Sequence, residues 1–218
     1  LRLLAGDGSL LQPAVLRAQA RRMLRDPRAS ALTDELASQW LGIRMLETAQ
    51  PDTFVHPTFT PALRDSMTGE LRTFFQTFVG TDRPLTDLLL SRDGYVDATL
   101  AAWYGLPSPP GPGFSPADVS ANHRGGWLGT AGIQTALSYP TRTSPVRRGV
   151  WVLTNLLCDA PDPPPPDVPG FPEASPSAAT VRERLEAHRL NPACAGCHDA
   201  IDPVGFAFEH FDAVGRWR

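Results

Sequence analysis

The strongest pattern of hydrophobic and polar positions lies in the stretch TPALRDSMTGELRTFFQTFVG, residues 60–80. Thr60 is a suitable N-cap, Pro61 suits the first helical turn, and Gly80 is a suitable terminator. The apolar side chains between them recur at three- and four-residue spacings and therefore share one helical face: Leu63, Met67, Leu71, Phe74, Phe75 and Phe78. We expect this face to be buried, with Met67 as a packing residue of the core.

Weaker helical patterns cover residues 13–26, 31–46 and 95–106. None of them shows the alternation of apolar and polar residues that predicts a β-strand. The pattern therefore predicts a mainly α fold that begins with a helical bundle. We assign this bundle to a first module, residues 1–112.

The character of the sequence changes after a turn-rich segment, PSPPGPGFSP, residues 107–116. Beyond it the chain is rich in Gly, Ser, Thr and Pro, with a helical run over residues 145–157 and a short charged helix before residue 191. A Pro-rich segment, residues 161–176, separates these helices and is either a solvated linker or an ordered strap. We assign residues 113–218 to a second module that is loop-rich but mostly helical, and we expect it to continue beyond Arg218.

The composition of the 218-residue chain argues against two kinds of partner. Hydrophobic residues make up 42% of the chain, enough to bury a core, and the net charge of −3 predicts no basic surface for nucleic acid. The sequence contains no apolar run long enough to predict a membrane span, and its first residues lack the pattern of a secretion signal.

The chemistry of the chain is concentrated in the stretch NPACAGCHDAIDPVGF, residues 191–206. It contains a C-x-x-C-H spacing, which is specific because three uncommon residues occupy five positions. Covalent haem attachment needs two thiols that reach the two vinyl groups of one porphyrin edge and an adjacent imidazole that binds the iron. This interpretation makes Cys194 and Cys197 the thioether residues and His198 the proximal iron ligand, and it makes the second module a haem c-binding module.

Two other interpretations of these residues stay open from the local sequence. Cys158, Cys194, Cys197 and His198 could form a structural zinc site, although adjacent residues rarely both bind one tetrahedral ion. The two cysteines of the motif could also form a disulfide or a redox dithiol, although no strand–helix unit precedes them.

The wider sequence resembles the planctomycete-type cytochrome-c-like proteins, which are large exported proteins built from consecutive modules. The most specific segments of the resemblance are TSPVRRG, residues 143–149, and CAGCHDAIDPVGFAFEHFDAVGRW, residues 194–217. The resemblance covers nearly the whole chain and implies a covalently bound haem c, a periplasmic or cell-surface location, and electron transfer. The implied partner is a redox protein or a neighbouring module of the same longer chain. One departure is His210, where the family pattern has asparagine.

We therefore expect an electron-transfer module rather than a stand-alone enzyme. The alternatives are a haem enzyme of the peroxidase type, with an open sixth position on the iron, and a zinc-stapled binding or scaffolding module. Because no methionine follows Met67, we expect no methionine ligand to iron. The sixth position would be filled by a histidine, with His188 ahead of His123 and His210, by water, or by a residue beyond Arg218.

Three arginines and one aspartate complete the candidate residues. Arg142 and Arg147, with Arg148, could hold haem propionates through charged hydrogen bonds. The simpler interpretation of this stretch is a helix start capped by Ser144. For Asp202, followed by proline, we expect a turn after the motif helix.

Overall fold

The computed structural model describes residues 1–79, 81–163, 180–190 and 192–218. These residues form a mainly α fold, as predicted, with eleven α-helices and one pair of strands. The helices before the strands are α1 (Arg2–Gly6), α2 (Pro13–Leu24), α3 (Ser38–Trp40), α4 (Ile43–Glu47), α5 (Pro61–Gln76) and α6 (Asp87–Leu90). Helix α7 (Ala98–Tyr104) lies between the two strands, and the later helices are α8 (Ala131–Ala136), α9 (Pro145–Asn155), α10 (Val181–His188) and α11 (Pro192–Phe206). In the described part of the chain, no helix is both long and apolar enough to cross a bilayer.

Helix α5 forms where the hydrophobic pattern predicts it. Thr60 caps it by accepting a hydrogen bond from the Leu63 backbone N–H at 3.1 Å, and Pro61 begins it. The predicted core face is confirmed, since Met67 is fully buried and the other five members of that face are buried or packed against the core. The helix ends at Gln76, and Gly80 lies outside the described residues.

The helical pattern predicted over residues 95–106 is only partly correct, because its first residues lie in a strand. Strand β1 (Asp93–Val96) pairs antiparallel with β2 (Ser115–Asp118), so that Asp93 faces Asp118 and Val96 faces Ser115. Each strand has only four residues, which is too short for alternation to stand out in the sequence. The turn-rich segment between residues 107 and 116 therefore folds back onto the first half of the chain.

Residues of both predicted modules share one hydrophobic core. The Trp127 ring packs edge-on against Phe74, with ring centres 6.0 Å apart, and its Nε1–H donates to the Leu41 carbonyl at 3.1 Å. Trp40 similarly donates to the Asn155 carbonyl at 2.8 Å. The division at residue 112 stays a prediction, but the helices on either side of it bury their apolar surfaces against each other.

Helices α9 and α11 approach each other closely because glycines lie at their contact. A Cβ atom at Gly149 would lie 2.2 Å from the Ile201 carbonyl oxygen, and one at Gly205 would lie 2.0 Å from the Pro145 carbonyl oxygen. Neither distance allows a side chain, so the packing requires glycine at both positions. This contact fixes α11, the helix that carries the C-x-x-C-H motif, against the core.

Candidate functional site

The C-x-x-C-H motif lies in the first two turns of α11. Cys197 and His198 follow Cys194 by three and four residues, so all three lie on the same side of the helix. Both cysteines are free thiols and partly exposed, and the His198 side chain is 17% exposed. The sequence thus brings two thiols and an imidazole together on a helix face that solvent can reach.

Asp202 lies one helical turn after His198 and contacts it directly. The His198 Nδ1 atom is 2.9 Å from the Asp202 Oδ1 atom, and the Asp202 side chain is 0% exposed. The second carboxylate oxygen, Oδ2, is also buried and has no hydrogen-bond partner in the described part of the protein. The prediction of a turn at Asp202 is wrong, because Asp202 lies inside α11.

The motif helix continues through Pro203 to Phe206. Proline in a helix interior removes one backbone hydrogen bond, that to the carbonyl of the residue four positions earlier. The close packing of α11 on α9 holds the helix together beyond this point. Within this continuous helix Asp202 lies on the same face as His198, and its side chain is 0% exposed.

Helix α10 brings a second histidine close to the motif. A capping box begins this helix, with the Thr180 side chain accepting from the Glu183 N–H and the Glu183 side chain accepting from the Thr180 N–H. The helix contacts α11 through the Arg182 guanidinium, 4.1 Å from the centre of the Phe206 ring. At its last residue, His188 places its ring centre 5.2 Å from that of His198, with an angle of 71° between the rings.

The other two candidate distal histidines lie on Trp217. His123 stacks on the Trp217 ring with centres 4.4 Å apart, and His210 stacks on the same ring at 4.9 Å. His188 is therefore the one of these three candidates that lies against the motif histidine, and its role as a distal ligand stays a prediction.

Arg142 and Arg147 lie together around one aromatic ring. Their guanidinium groups are 4.3 Å and 5.1 Å from the centre of the Tyr139 ring. Arg147 also donates to the Ser138 carbonyl at 2.8 Å, and its backbone N–H donates to the Ser144 hydroxyl at 3.2 Å. The capped helix start is thus confirmed, while the propionate role of the two arginines stays a prediction.

Arg148 is not available to hold a propionate, in contrast to its expected role beside Arg142 and Arg147. It is fully buried and donates to three backbone carbonyls of the C-terminal segment, Phe208 at 2.6 Å, Phe211 at 3.0 Å and Asp212 at 2.9 Å. A carboxylate oxygen of Glu209 lies 3.3 Å away. Burial lowers the pKa of Arg148 to about 10, so the guanidinium remains charged at neutral pH. Arg148 fastens the segment after α11 to α9.

The four residues of the alternative zinc set are not gathered in the described structure. Cys158 is exposed and has a φ of 55° just after α9. Among the residues that the structure describes, no group of three or more His, Cys, Asp or Glu side chains is placed to hold a metal ion. Residues 164–176, most of the Pro-rich segment, lie outside the described residues, and so does the interpretation of this segment as strap or linker.

Sequence reasoning missed a buried polar network that ties the second half of the chain to α5. Glu70 is 1% exposed and accepts a hydrogen bond from the Tyr104 hydroxyl at 2.6 Å, and that hydroxyl accepts one from the Ala131 N–H at 2.8 Å. The Arg124 guanidinium lies 3.9 Å from the centre of the Tyr104 ring and donates to the Gly215 carbonyl at 2.5 Å. The sequence did carry a signal, because Glu70 interrupts the apolar face of α5.

Burial governs the protonation of this network. It raises the pKa of Glu70 to about 8, although the Tyr104 hydrogen bond and the Arg124 charge act in the opposite direction. Burial also raises the pKa of Tyr104, and the nearby Glu70 carboxylate raises it further.

Two family models match the chain, one on each side of the turn-rich segment. Residues 1–106 match PSD4: Protein of unknown function (DUF1592), and residues 124–218 match PSCyt3: Protein of unknown function (DUF1588). Both are planctomycete-type cytochrome-c-like domains, which confirms the resemblance at the level of the domains. No curated protein and no solved structure matches the chain.

Proposed function

We propose that this chain, which joins two planctomycete-type cytochrome-c-like domains, is an electron-transfer module with a covalently attached haem c. The observation that carries the proposal is the C-x-x-C-H motif on α11, where Asp202 engages Nδ1 of His198. This hydrogen bond leaves Nε2 of the same ring as the nitrogen that can bind iron. The two free thiols on the same helix face fit the two vinyl groups of a haem edge.

Each residue of the site has a defined role in this proposal. Cys194 and Cys197 would hold the haem through thioether bonds to its two vinyl groups, and His198 would bind the iron through Nε2. Arg142 and Arg147 hold the propionates, because guanidinium groups pair well with carboxylates. The bound haem supplies one-electron oxidation and reduction, while the chain supplies attachment, orientation and the local electrostatics.

The proposed cofactor also bears on location and partners. Attachment of haem c and the family resemblance both support an exported protein, in the periplasm or at the cell surface. The electron partner is a redox protein or a neighbouring module of the same longer chain. With a net charge of −3, the chain offers no general electrostatic attraction for nucleic acid.

Removal of both motif thiols should abolish covalent haem. We expect denaturing mass spectrometry to find the polypeptide plus one haem when the chain is produced in a periplasm with a haem-attachment system. The double variant Cys194→Ala, Cys197→Ala should appear at the mass of the polypeptide alone, because no thioether can form.

Cys158→Ala is the matched control for this experiment. It removes the remaining cysteine, which is exposed and separate from the motif, so haem content should equal that of the wild type. A wild-type preparation that contains zinc and no haem would overturn the proposal in favour of the zinc-stapled module.

Loss of His188 should open the sixth position of the iron. His188 is the candidate distal ligand that lies against the motif histidine, with ring centres 5.2 Å apart. We expect a low-spin ferric signal in electron paramagnetic resonance of the wild type, and a high-spin signal with faster cyanide binding in His188→Ala. His123→Ala is the control and should leave the spin state unchanged, because His123 stacks on Trp217.

A high-spin wild type that binds cyanide quickly would instead favour the peroxidase-like alternative.

The Met67→Ala variant tests the expectation that no methionine binds the iron. Met67 is fully buried on α5, so its replacement should leave the haem spectrum unchanged.

A further inference from the structure

The carboxylate beside the motif histidine has an unusual environment. Asp202 is fully buried, yet only one of its two oxygens has a partner in the described structure, and that partner is Nδ1 of His198 at 2.9 Å. Burial of a carboxylate is unfavourable unless both of its oxygens are paired. A carboxylate that served only the fold would gain from more hydrogen bonds than this one has.

The position of Asp202 is fixed by the backbone rather than by its own contacts. It lies four residues after His198 on the same face of α11, where side chains meet one above the other. The glycine contacts at Gly149 and Gly205 hold that part of α11 close against α9, and the Asp202 side chain is 0% exposed. Asp199, by contrast, is exposed and forms an ion pair with Arg189.

We propose that Asp202 is a positioning residue for the haem iron. Its carboxylate accepts the Nδ1–H of His198, aims Nε2 of that ring at the iron and lowers the reduction potential of the haem. This inference rests on the proposed haem attachment and assigns the control of its potential to a residue that does not touch the iron.

The physical basis is the effect of a second hydrogen bond on a metal-bound imidazole. A carboxylate that accepts the Nδ1–H fixes the tautomer and ring orientation and makes Nε2 more basic. A more basic ligand stabilises ferric iron more than ferrous iron, because the ferric ion carries the larger charge. The buried negative charge of Asp202 acts in the same direction, since a low local dielectric constant strengthens its interaction with the iron. Both effects lower the potential.

The Asp202→Asn variant of the haem-loaded protein tests this inference. Asparagine keeps the shape and an acceptor oxygen but removes the negative charge. In spectroelectrochemical titration we expect the ferrous-to-ferric ratio at a fixed potential to rise at least tenfold, which is about 59 mV for one electron. Asp199→Asn is the matched control, because it removes an exposed carboxylate one residue from His198 and should leave the potential near that of the wild type.

The outcomes separate the two proposals. Absence of covalent haem from the wild type would refute the proposed function and this inference with it. Haem attached normally in both variants, with equal potentials in Asp202→Asn and the wild type, would refute the role of Asp202 alone.

If Asp202→Asn does not fold, a measurement on the wild type tests the role of Asp202 instead. In the ferrous, carbon-monoxide-bound protein, which is diamagnetic, histidine labelled with ¹⁵N should show a proton on Nδ1 of His198 that lies downfield and exchanges slowly with water. A rapidly exchanging or absent Nδ1 proton would show that the carboxylate does not hold the ring and would overturn the inference.

Discussion

Replacement of Arg148 by methionine should lower the free energy of unfolding by about 3–5 kcal/mol, the loss typical of breaking a buried charged network. Arg148 is fully buried, and methionine can fill much of its volume without its hydrogen bonds. The carbonyls of Phe208, Phe211 and Asp212 would each lose a charged donor, and Glu209 would lose an opposite charge. The C-terminal segment should loosen first. The free energy is measured by urea denaturation followed by circular dichroism.

Arg147→Met is the control for Arg148→Met, because it removes the neighbouring arginine of the same helix. Arg147 is partly exposed and makes one side-chain hydrogen bond in the described structure, to the Ser138 carbonyl. Its replacement should cost about 1 kcal/mol, typical of one hydrogen bond. If both variants lose the same free energy of unfolding, the buried hydrogen bonds of Arg148 contribute no more to stability than the single hydrogen bond of Arg147.

Glu70→Gln should stabilise the protein at neutral and alkaline pH. The pKa of Glu70 rises from 4.5 to about 8 on folding, so the folded state favours the protonated carboxyl group. The stability that this group contributes is fully present below pH 4.5 and is lost as the pH rises through about 8. The loss is roughly 1.4 kcal/mol per pH unit between these values. Glutamine is neutral throughout and can still accept the Tyr104 hydrogen bond.

Urea denaturation at a series of pH values between 5 and 9 measures this effect. We expect the free energy of unfolding of Glu70→Gln, relative to wild type, to increase up to about pH 8 and to level off above it. Glu47→Gln is the control, since Glu47 is exposed and paired with Arg72, and its difference from wild type should change little with pH. A constant difference for Glu70→Gln would show that Glu70 is ionised in the folded protein.

The sequence predicts those parts of the structure that depend on neighbouring residues. Helix α5 could be located from the spacing of its apolar residues and from Thr60, whose hydroxyl accepts the backbone N–H of Leu63 and caps the helix. The start of α9 at Ser144 and Pro145 follows from the same local rules. The C-x-x-C-H spacing likewise places two thiols and an imidazole on one helix face. The mainly α fold class follows because most of the chain carries such signals.

Short strands and long-range contacts could not be predicted in this way. Strands β1 and β2 contain four residues each and form because the turn-rich segment folds back, which no local pattern indicates. The difference between Arg147 and Arg148 depends on which side of α9 meets the segment after α11. Adjacent residues with the same side chain therefore have different environments, one partly exposed and one fully buried.

The sequence by itself determined the helical class, the caps and the residues of the candidate haem site. Only the tertiary structure decided that Asp202 bonds to His198 within an unbroken helix and that His188 lies beside them. It also decided that the Tyr104 hydroxyl links Glu70 to Ala131 and so joins the two halves of the chain. The physical reason is that capping and spacing act within a few residues. Burial and partner choice, by contrast, depend on which helices pack together, and here the glycine contact between α9 and α11 fixes that packing around the motif.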